Sequence, residues 1–228
     1  MLTRIAAALV FAVGAAPAHA DELQNRVVAA ARAAPAERHA YKRTLTLERT
    51  GTAKKVIVEQ FDPRRPAAAQ WTLVSVDGRA PTAKELADAR KVKRGANSGY
   101  ASIAKWFGTP ATRTDPAPGS ALYRFARLPA GTLKIGSHDA SADSQAEALV
   151  STRGATPFVE RIRLTSTKGF RMMLVASLKS IDVVSRYRQL PDGGIVPGDS
   201  ISLIAGSMMG KSGQLKTTVS YSDFHAVR

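Results

Sequence analysis

The chain has 228 residues, with 33 Lys and Arg against 18 Asp and Glu, a formal net charge of +15 and no cysteine. That length fits one all-β domain or two small domains, and it can bury a core without covalent staples. The missing cysteines exclude disulfides, thiolate metal sites and a lipid-modified cysteine, and the positive field favours anionic partners: lipid headgroups, lipopolysaccharide, acidic glycans or acidic proteins.

Met1–Arg4 is short and basic, Ile5–Val13 is unbroken apolar sequence, and Ala18-His19-Ala20 is a small-x-small signal followed by Asp21. This is the pattern of a secretory signal peptide over residues 1–20. The apolar run is too short to span a bilayer. The sequence therefore predicts a soluble periplasmic protein beginning near Asp21, with residues 21–228 forming a single domain. ATP, NAD and nucleic acid are not everyday partners in that compartment. Arg4 is the one basic residue of the leader, so the positive excess belongs to the mature chain.

Asp21–Ala34 reads as an amphipathic helix, capped by Asp21, with Leu23, Val27, Val28 and Ala31 at helical spacing. Pro35 ends it. The period then falls to two. His39–Arg49 puts Tyr41, Leu45 and Leu47 on one face and Lys42, Thr44, Thr46 and Glu48 on the other. Thr50-Gly51-Thr52 turns the chain, and Lys54–Phe61 returns as the second half of a hairpin. Pro63 and Pro66 mark a loop. Trp71–Val76 is a third strand, closed by Asp77-Gly78.

Thr82 and Glu85 form a capping-box pattern, so Thr82–Arg94 is predicted helical, with Lys84, Arg90, Lys91, Lys93 and Arg94 making it strongly basic. A second helix is predicted over Ser98–Phe107, with Tyr100, Ile103, Ala104 and Phe107 on one face and Gly108 as the stop. Thr109–Gly119 holds three prolines and reads as a loop. Ala121–Arg127 is a strand; Ala140–Ser151 fits either a short helix or a loop. Phe158–Ser166, Met172–Ser180, Ile181–Leu190, Ser200–Ala205 and Gln214–Phe224 read as strands, with turns at Lys168-Gly169 and Pro191–Gly194. Short turns make successive strands antiparallel. A single curved antiparallel sheet with helices on one side, an α+β architecture, follows.

Few motifs suggest chemistry. Ala205–Ser212 ends in Gly-Lys-Ser like a phosphate-binding loop, but strand-period sequence follows where that loop needs a helix, so a hairpin turn at Gly210 and Gly213 is expected. His39, His138 and His225 are far apart and have no metal-ligand spacing. There is no nucleophile-elbow pattern. No enzyme activity, metal or cofactor is therefore expected. Two features remain. Tyr100, Ile103, Trp106 and Phe107 form an apolar segment that suits either a lid over a cavity or an ordinary helix sealing the sheet. Arg43 shares a face with Tyr41, Leu45 and Leu47; turned inward, it needs an acidic partner, from a ligand headgroup or the lid.

The order of elements is similar to that of the periplasmic lipoprotein-carrier superfamily, the LolA/LolB-like half-barrels. It comprises a first helix, the hairpin YKRTLTLER…KKVIVEQF, the strand from Trp71 to Asp77-Gly78, a helical insertion and a terminal meander. The resemblance implies a strongly curved, incomplete barrel with lid helices on its concave side, sheltering acyl chains. It implies a monomeric, non-catalytic binding protein for a hydrophobic ligand such as a lipid. Expected contacts are Tyr41, Arg43, Leu45, Leu47, Trp71, Leu73, Ile103 and Phe107. The alternative is a basic adaptor that meets an anionic membrane surface or acidic partner, without a cavity, through Lys84, Arg90, Lys91, Lys93 and Arg94.

Overall fold

The computed structural model describes residues 21–34, 38–91, 99–135, 138–173 and 176–227. The predicted leader, Pro35, and Val92–Arg94 and Ser98 of the predicted helices lie outside them. Helix α1 (Glu22–Ala33) forms as expected: the Asp21 carboxylate accepts the Gln24 N–H at 2.7 Å, and Leu23, Val27, Val28 and Ala31 are buried. Gln24 is buried with them because its amide donates to the carbonyls of Phe107 and Thr109.

Strands β1 (His39–Arg49), β2 (Lys55–Phe61) and β3 (Trp71–Val76) form the expected antiparallel meander. Asp77 and Gly78 both have positive φ, 51° and 79°, and make a two-residue turn closed by a single bridge from Val76 to Arg79. Helix α2 (Ala83–Lys91) has the predicted capping box: the Glu85 N–H donates to Thr82 Oγ1 and the Thr82 N–H to Glu85 Oε2. It buries no residue.

The second predicted helix is instead a 3-10 segment, Tyr100–Lys105. The three-residue repeat explains the difference. Tyr100, Ile103 and Trp106 are all buried, and a 3-10 helix stacks positions i, i+3 and i+6 directly on one side.

The proline-rich loop predicted over Thr109–Gly119 is corrected to a strand, β4 (Thr112–Ala117), paired with β5 (Ser120–Phe125). Proline is tolerated there because β4 is an edge strand, and its register shifts between Thr114 and Ala117. A two-residue ladder follows, β6 (Lys134–Ile135) with β7 (His138–Asp139). Ala140–Ser151, open between helix and loop in sequence, is mostly strand β8 (Ser144–Ser151), held on both sides by β5 and by β9 (Phe158–Ser166).

The break expected between Ser180 and Ile181 is not a turn. Strand β10 (Phe170–Met173) leads to one long strand, β11 (Ala176–Gln189), whose pairing with β12 shifts register between Leu178 and Ser180 and again between Ser185 and Tyr187. Strands β12 (Ile195–Met208) and β13 (Lys211–Ala226) outrun their predicted bounds. They meet at Met209-Gly210, φ 51° and 78°, so Ala205–Ser212 is a hairpin and no helix follows it.

The strands order as β3-β2-β1-β13-β12-β11-β9-β8-β5-β4, with β10 beside β11, in one antiparallel sheet that does not close. Register shifts interrupt the β1–β13, β2–β3, β8–β9 and β11–β12 ladders. Such irregularities bend and coil a sheet. His39 of β1 thereby reaches Asp192 in the β11–β12 turn at 2.8 Å. Helix α1 and the 3-10 segment pack together over β9, and the core lies between them and the inner side of β5, β8 and β9.

Asp21 ties this cover to the sheet. Its carboxylate also accepts from the Tyr123 hydroxyl at 2.7 Å and pairs with Arg113 at 3.3 Å. Burial raises its pKa, but the Gln24 N–H, Tyr123 and Arg113 outweigh burial and hold it below the ordinary value. A lowered folded pKa stabilises above the unfolded carboxylate pKa and is lost as pH falls through the folded one. Asp21→Ala is expected to cost about 1 kcal/mol in urea unfolding at neutral pH. That cost should shrink between about pH 4 and pH 2; a pH-independent difference would contradict the assignment.

Candidate functional site

Directly paired residues share a face of the sheet, so the register assigns the inner face strand by strand. On β1 it carries Tyr41, Arg43, Leu45 and Leu47; opposite them on β2 stand Phe61, Glu59, Ile57 and Lys55. On β13 the same rows continue as Tyr221, Val219 and Thr217, and on β12 as Ser200 and Ser202 beside Ile204. The outward residues of β1 are Lys42, Thr44, Thr46 and Glu48.

The inner face has two unlike halves. Under α1 and the 3-10 segment it is dry: Tyr123, Phe125, Ala146, Ala148 and Ile162 are buried. Across β1, β13, β12 and the middle of β11 it is half-open. Leu45, Leu47, Ile57, Leu215, Val219, Ile204 and Val183 are each half-buried, with Thr217, Ser202 and Ser200 between them. Among the described residues this is a partly open apolar trough with small hydroxyls along it.

One end of the trough is closed by aromatic side chains. Tyr41 packs against Phe61, Trp71, Tyr221 and Phe224 with ring centroids 5.0, 5.9, 5.5 and 5.3 Å away. Tyr187 of β11 contacts Tyr100 at 5.3 Å and so joins this end to the covered half. Burial, with Tyr221 adding to it, pushes the Tyr187 hydroxyl up to about 12. Tyr187 therefore stays a neutral donor at any physiological pH.

Arg43 does face inward, and its acid comes from the sheet itself. The guanidinium pairs with Glu59, directly across on β2, with Nε 3.2 Å from Oε2. It also stacks on Trp71, 3.9 Å from the ring centroid. The side chains are 20 % and 6 % exposed. Neither a ligand headgroup nor a lid residue is needed to satisfy the charge, which corrects the expected source of the partner. The pairing was legible in the hairpin. A turn centred on Gly51 sets Arg43 opposite Glu59.

The expected contact residues separate into two groups. Tyr41, Arg43, Leu45, Leu47, Trp71 and Leu73 share the inner face of β1 and β3. Ile103 and Phe107 are 1 % and 0 % exposed, inside the core with Leu23, Val27 and Phe125, and offer no surface to a ligand. Sequence reasoning missed Glu59, Val219, Tyr221, Leu215 and Ile204. The clean alternation of β13 was the signal for three of them.

On α2, Lys84 and Lys91 both pair with Asp88, at 3.0 and 3.3 Å, and Glu85 pairs with Arg79. Arg90 is exposed, and Lys93 and Arg94 lie outside the described residues. The field of this helix is thus smaller than its count of basic residues suggests. The histidines stay apart: His39 bonds Asp192, His138 stacks on Phe170, and His225 bonds the Asp223 carbonyl. Among the described residues no group of three His, Asp or Glu is placed to hold a metal, and no helix is long and apolar enough to cross a membrane.

No family model matches the chain, and no curated protein matches it significantly. Among solved structures it is similar to a LolA superfamily protein from Nitrosomonas europaea, at 11% identity and TM-score 0.37, over 92% of this chain and 94% of that one. It is also similar to a DUF1329 family protein from Desulfovibrio piger, at 10% identity and TM-score 0.35, over 90% of each chain. The first carries the family name whose layout the sequence resembles. At this identity and TM-score neither names a ligand for this chain.

Proposed function

We propose that the protein is a non-catalytic, monomeric periplasmic carrier that holds a hydrophobic ligand, a lipid or acyl chain, against the uncovered half of the inner face. The observation that carries this reading is the row of half-buried apolar side chains across adjacent strands, Leu47 and Leu45 on β1, Val219 and Leu215 on β13, and Ile204 on β12. They stand on the core side of the sheet, yet among the described residues no element covers them as α1 covers β9. A contiguous, incompletely covered apolar surface of this kind marks a binding site more often than a solvated face.

Affinity comes from burial. Each methylene removed from water contributes about 0.8 kcal/mol, so a dozen methylenes, half covered, give roughly 5 kcal/mol before the cost of ordering the chain. Arg43 is already neutralised by Glu59, so the trough offers little to a bare anion and favours the apolar part of a lipid. The test is native mass spectrometry of protein purified from a periplasm, before and after solvent extraction. A removable mass of a phospholipid or fatty acid is expected, and Leu45→Glu should abolish it while leaving the far-ultraviolet circular dichroism unchanged. A clean apo mass, with no uptake of a fluorescent fatty acid by the wild type, would sink the reading.

A further inference from the structure

We propose that the hairpin-tip end of the sheet is a docking surface for an anionic lipid membrane, a role separate from whatever the trough holds. Three connections gather at this end: the β1–β2 turn at Thr50-Gly51, the β12–β13 turn at Met209-Gly210, and the segment from Lys168-Gly169 into β10. The structure knits them together. The Thr50 N–H donates to the Gln214 carbonyl at 3.0 Å, the Gln214 N–H returns to Thr50 Oγ1 at 3.0 Å, and Lys179 Nζ reaches Ser212 Oγ at 3.4 Å. Register places Arg171 opposite Ser177, which itself faces Ser207 two residues before Met209 of the turn.

The chemistry of this end is one-sided. Arg49, Lys54, Lys55, Arg171, Lys179 and Lys211 are all exposed there, and among the described residues none of them is in an ion pair. Of the acids nearby, Glu48 and Asp143 are taken by Lys216 at 3.7 Å and Lys168 at 2.9 Å, and the Asp77 carboxylate accepts the Val56 N–H at 2.7 Å. At the tip stands Met209, 77% exposed, against 36% to 41% for the other exposed large apolar residues Leu86, Ile201 and Val74. Beside it a shallow cleft of about 410 Å³ is floored by Phe170 and Leu178 and rimmed by Arg171 and Lys179.

A lone flexible apolar side chain projecting past a ring of unpaired cations matches a bilayer, where anionic headgroups lie above an apolar layer. An acidic protein would satisfy the cations and leave Met209 in water. Single-stranded nucleic acid would call for an exposed stacking aromatic. The apolar group presented here is a methionine.

The test is co-sedimentation of the whole protein with vesicles of phosphatidylglycerol and phosphatidylcholine, against phosphatidylcholine alone. Binding is expected only to the anionic vesicles and should fall steeply with salt. Each cation near such a surface is worth about fivefold in affinity, so the triple variant Lys54→Glu, Lys179→Glu, Lys211→Glu should lose at least about 100-fold. Arg38→Glu, Lys105→Glu, Arg153→Glu makes the same change in net charge at exposed sites away from the tips and should lose less than about tenfold. Met209→Asn suits the positive φ of its position, so it should leave thermal stability unchanged or raised and weaken vesicle binding several-fold. Equal losses from the two triple variants, or equal binding to both kinds of vesicle, would overturn the proposal. Lipid mass retained in native spectra of the tip variants keeps this outcome distinct from a failure of the carrier reading.

Discussion

Phe107→Ala is expected to lower the melting temperature by roughly 10 °C, the largest single effect of any substitution in the apolar segment between α2 and β4. Phe107 is fully buried, and its ring meets Trp106, Tyr123 and Phe125 with centroids 5.9, 5.2 and 5.5 Å away. Its carbonyl accepts the buried Gln24 amide, so the segment is fastened to α1 by a polar as well as an apolar contact. Truncating a buried phenylalanine costs about 3–5 kcal/mol, and in a domain of this size each kcal/mol moves the midpoint about 2–4 °C. The measurement is calorimetric or circular-dichroism melting, with lipid occupancy by native mass spectrometry below the transition. A core residue changes the melt and leaves occupancy alone. A lid that lifts off for the ligand does the reverse, so a shift under about 2 °C with altered occupancy would restore Phe107 to the binding site.

The elements legible in the sequence are those whose signals are local. Asp21 caps α1, the change of period at His39 starts β1, Gly51 turns the hairpin, and Asp77-Gly78 closes β3. Strand β4 has no such signal. Thr-Arg-Thr-Asp-Pro-Ala alternates nothing, and it is a strand only because β5 pairs with it. Strand β8 was ambiguous for a related reason. Its inward residues Ala146 and Ala148 are small and carry little strand preference. They lie on the covered half of the inner face, where the bulk is supplied by Phe107, Tyr123 and Phe125, so their size answers a tertiary demand that local pattern cannot carry.

The candidate site divides in the same way. The face of β1 that turns inward could be read from alternation alone, and Tyr41, Leu45 and Leu47 stand on it. What covers that face, and how far, depends on which strands come to lie beside β1. Pairing of β1 with β13 joins residues more than 160 positions apart, as in the Thr50 to Gln214 bond. Hence Val219 and Leu215 entered the site only with the structure. Ile103 and Phe107 left it because the same apolar spacing serves a lid and a core segment equally well.

Glu59→Ala should destabilise the protein by about 3 kcal/mol, while replacing both partners, Arg43→Met with Glu59→Leu, should come back to within about 1 kcal/mol of wild type. The asymmetry follows from where the pair sits. Arg43 and Glu59 occupy directly opposed positions on the inner face, next to Trp71 and Tyr41. Both charges were taken largely out of water on folding, and their mutual attraction offsets much of that loss. Removing the acid leaves a desolvated guanidinium against an indole ring, whose cation–π attraction recovers only part of the difference. Removing both leaves an apolar patch continuous with Leu45, Ile57 and Leu73. Urea unfolding of the two single variants and the double variant measures the coupling directly. Additive losses would mean that solvent reaches the pair freely. The double variant also separates structure from binding: if it folds like wild type and keeps its lipid, the trough works by apolar burial alone. If it folds but loses the lipid, the cation is a ligand contact as well as half of an ion pair.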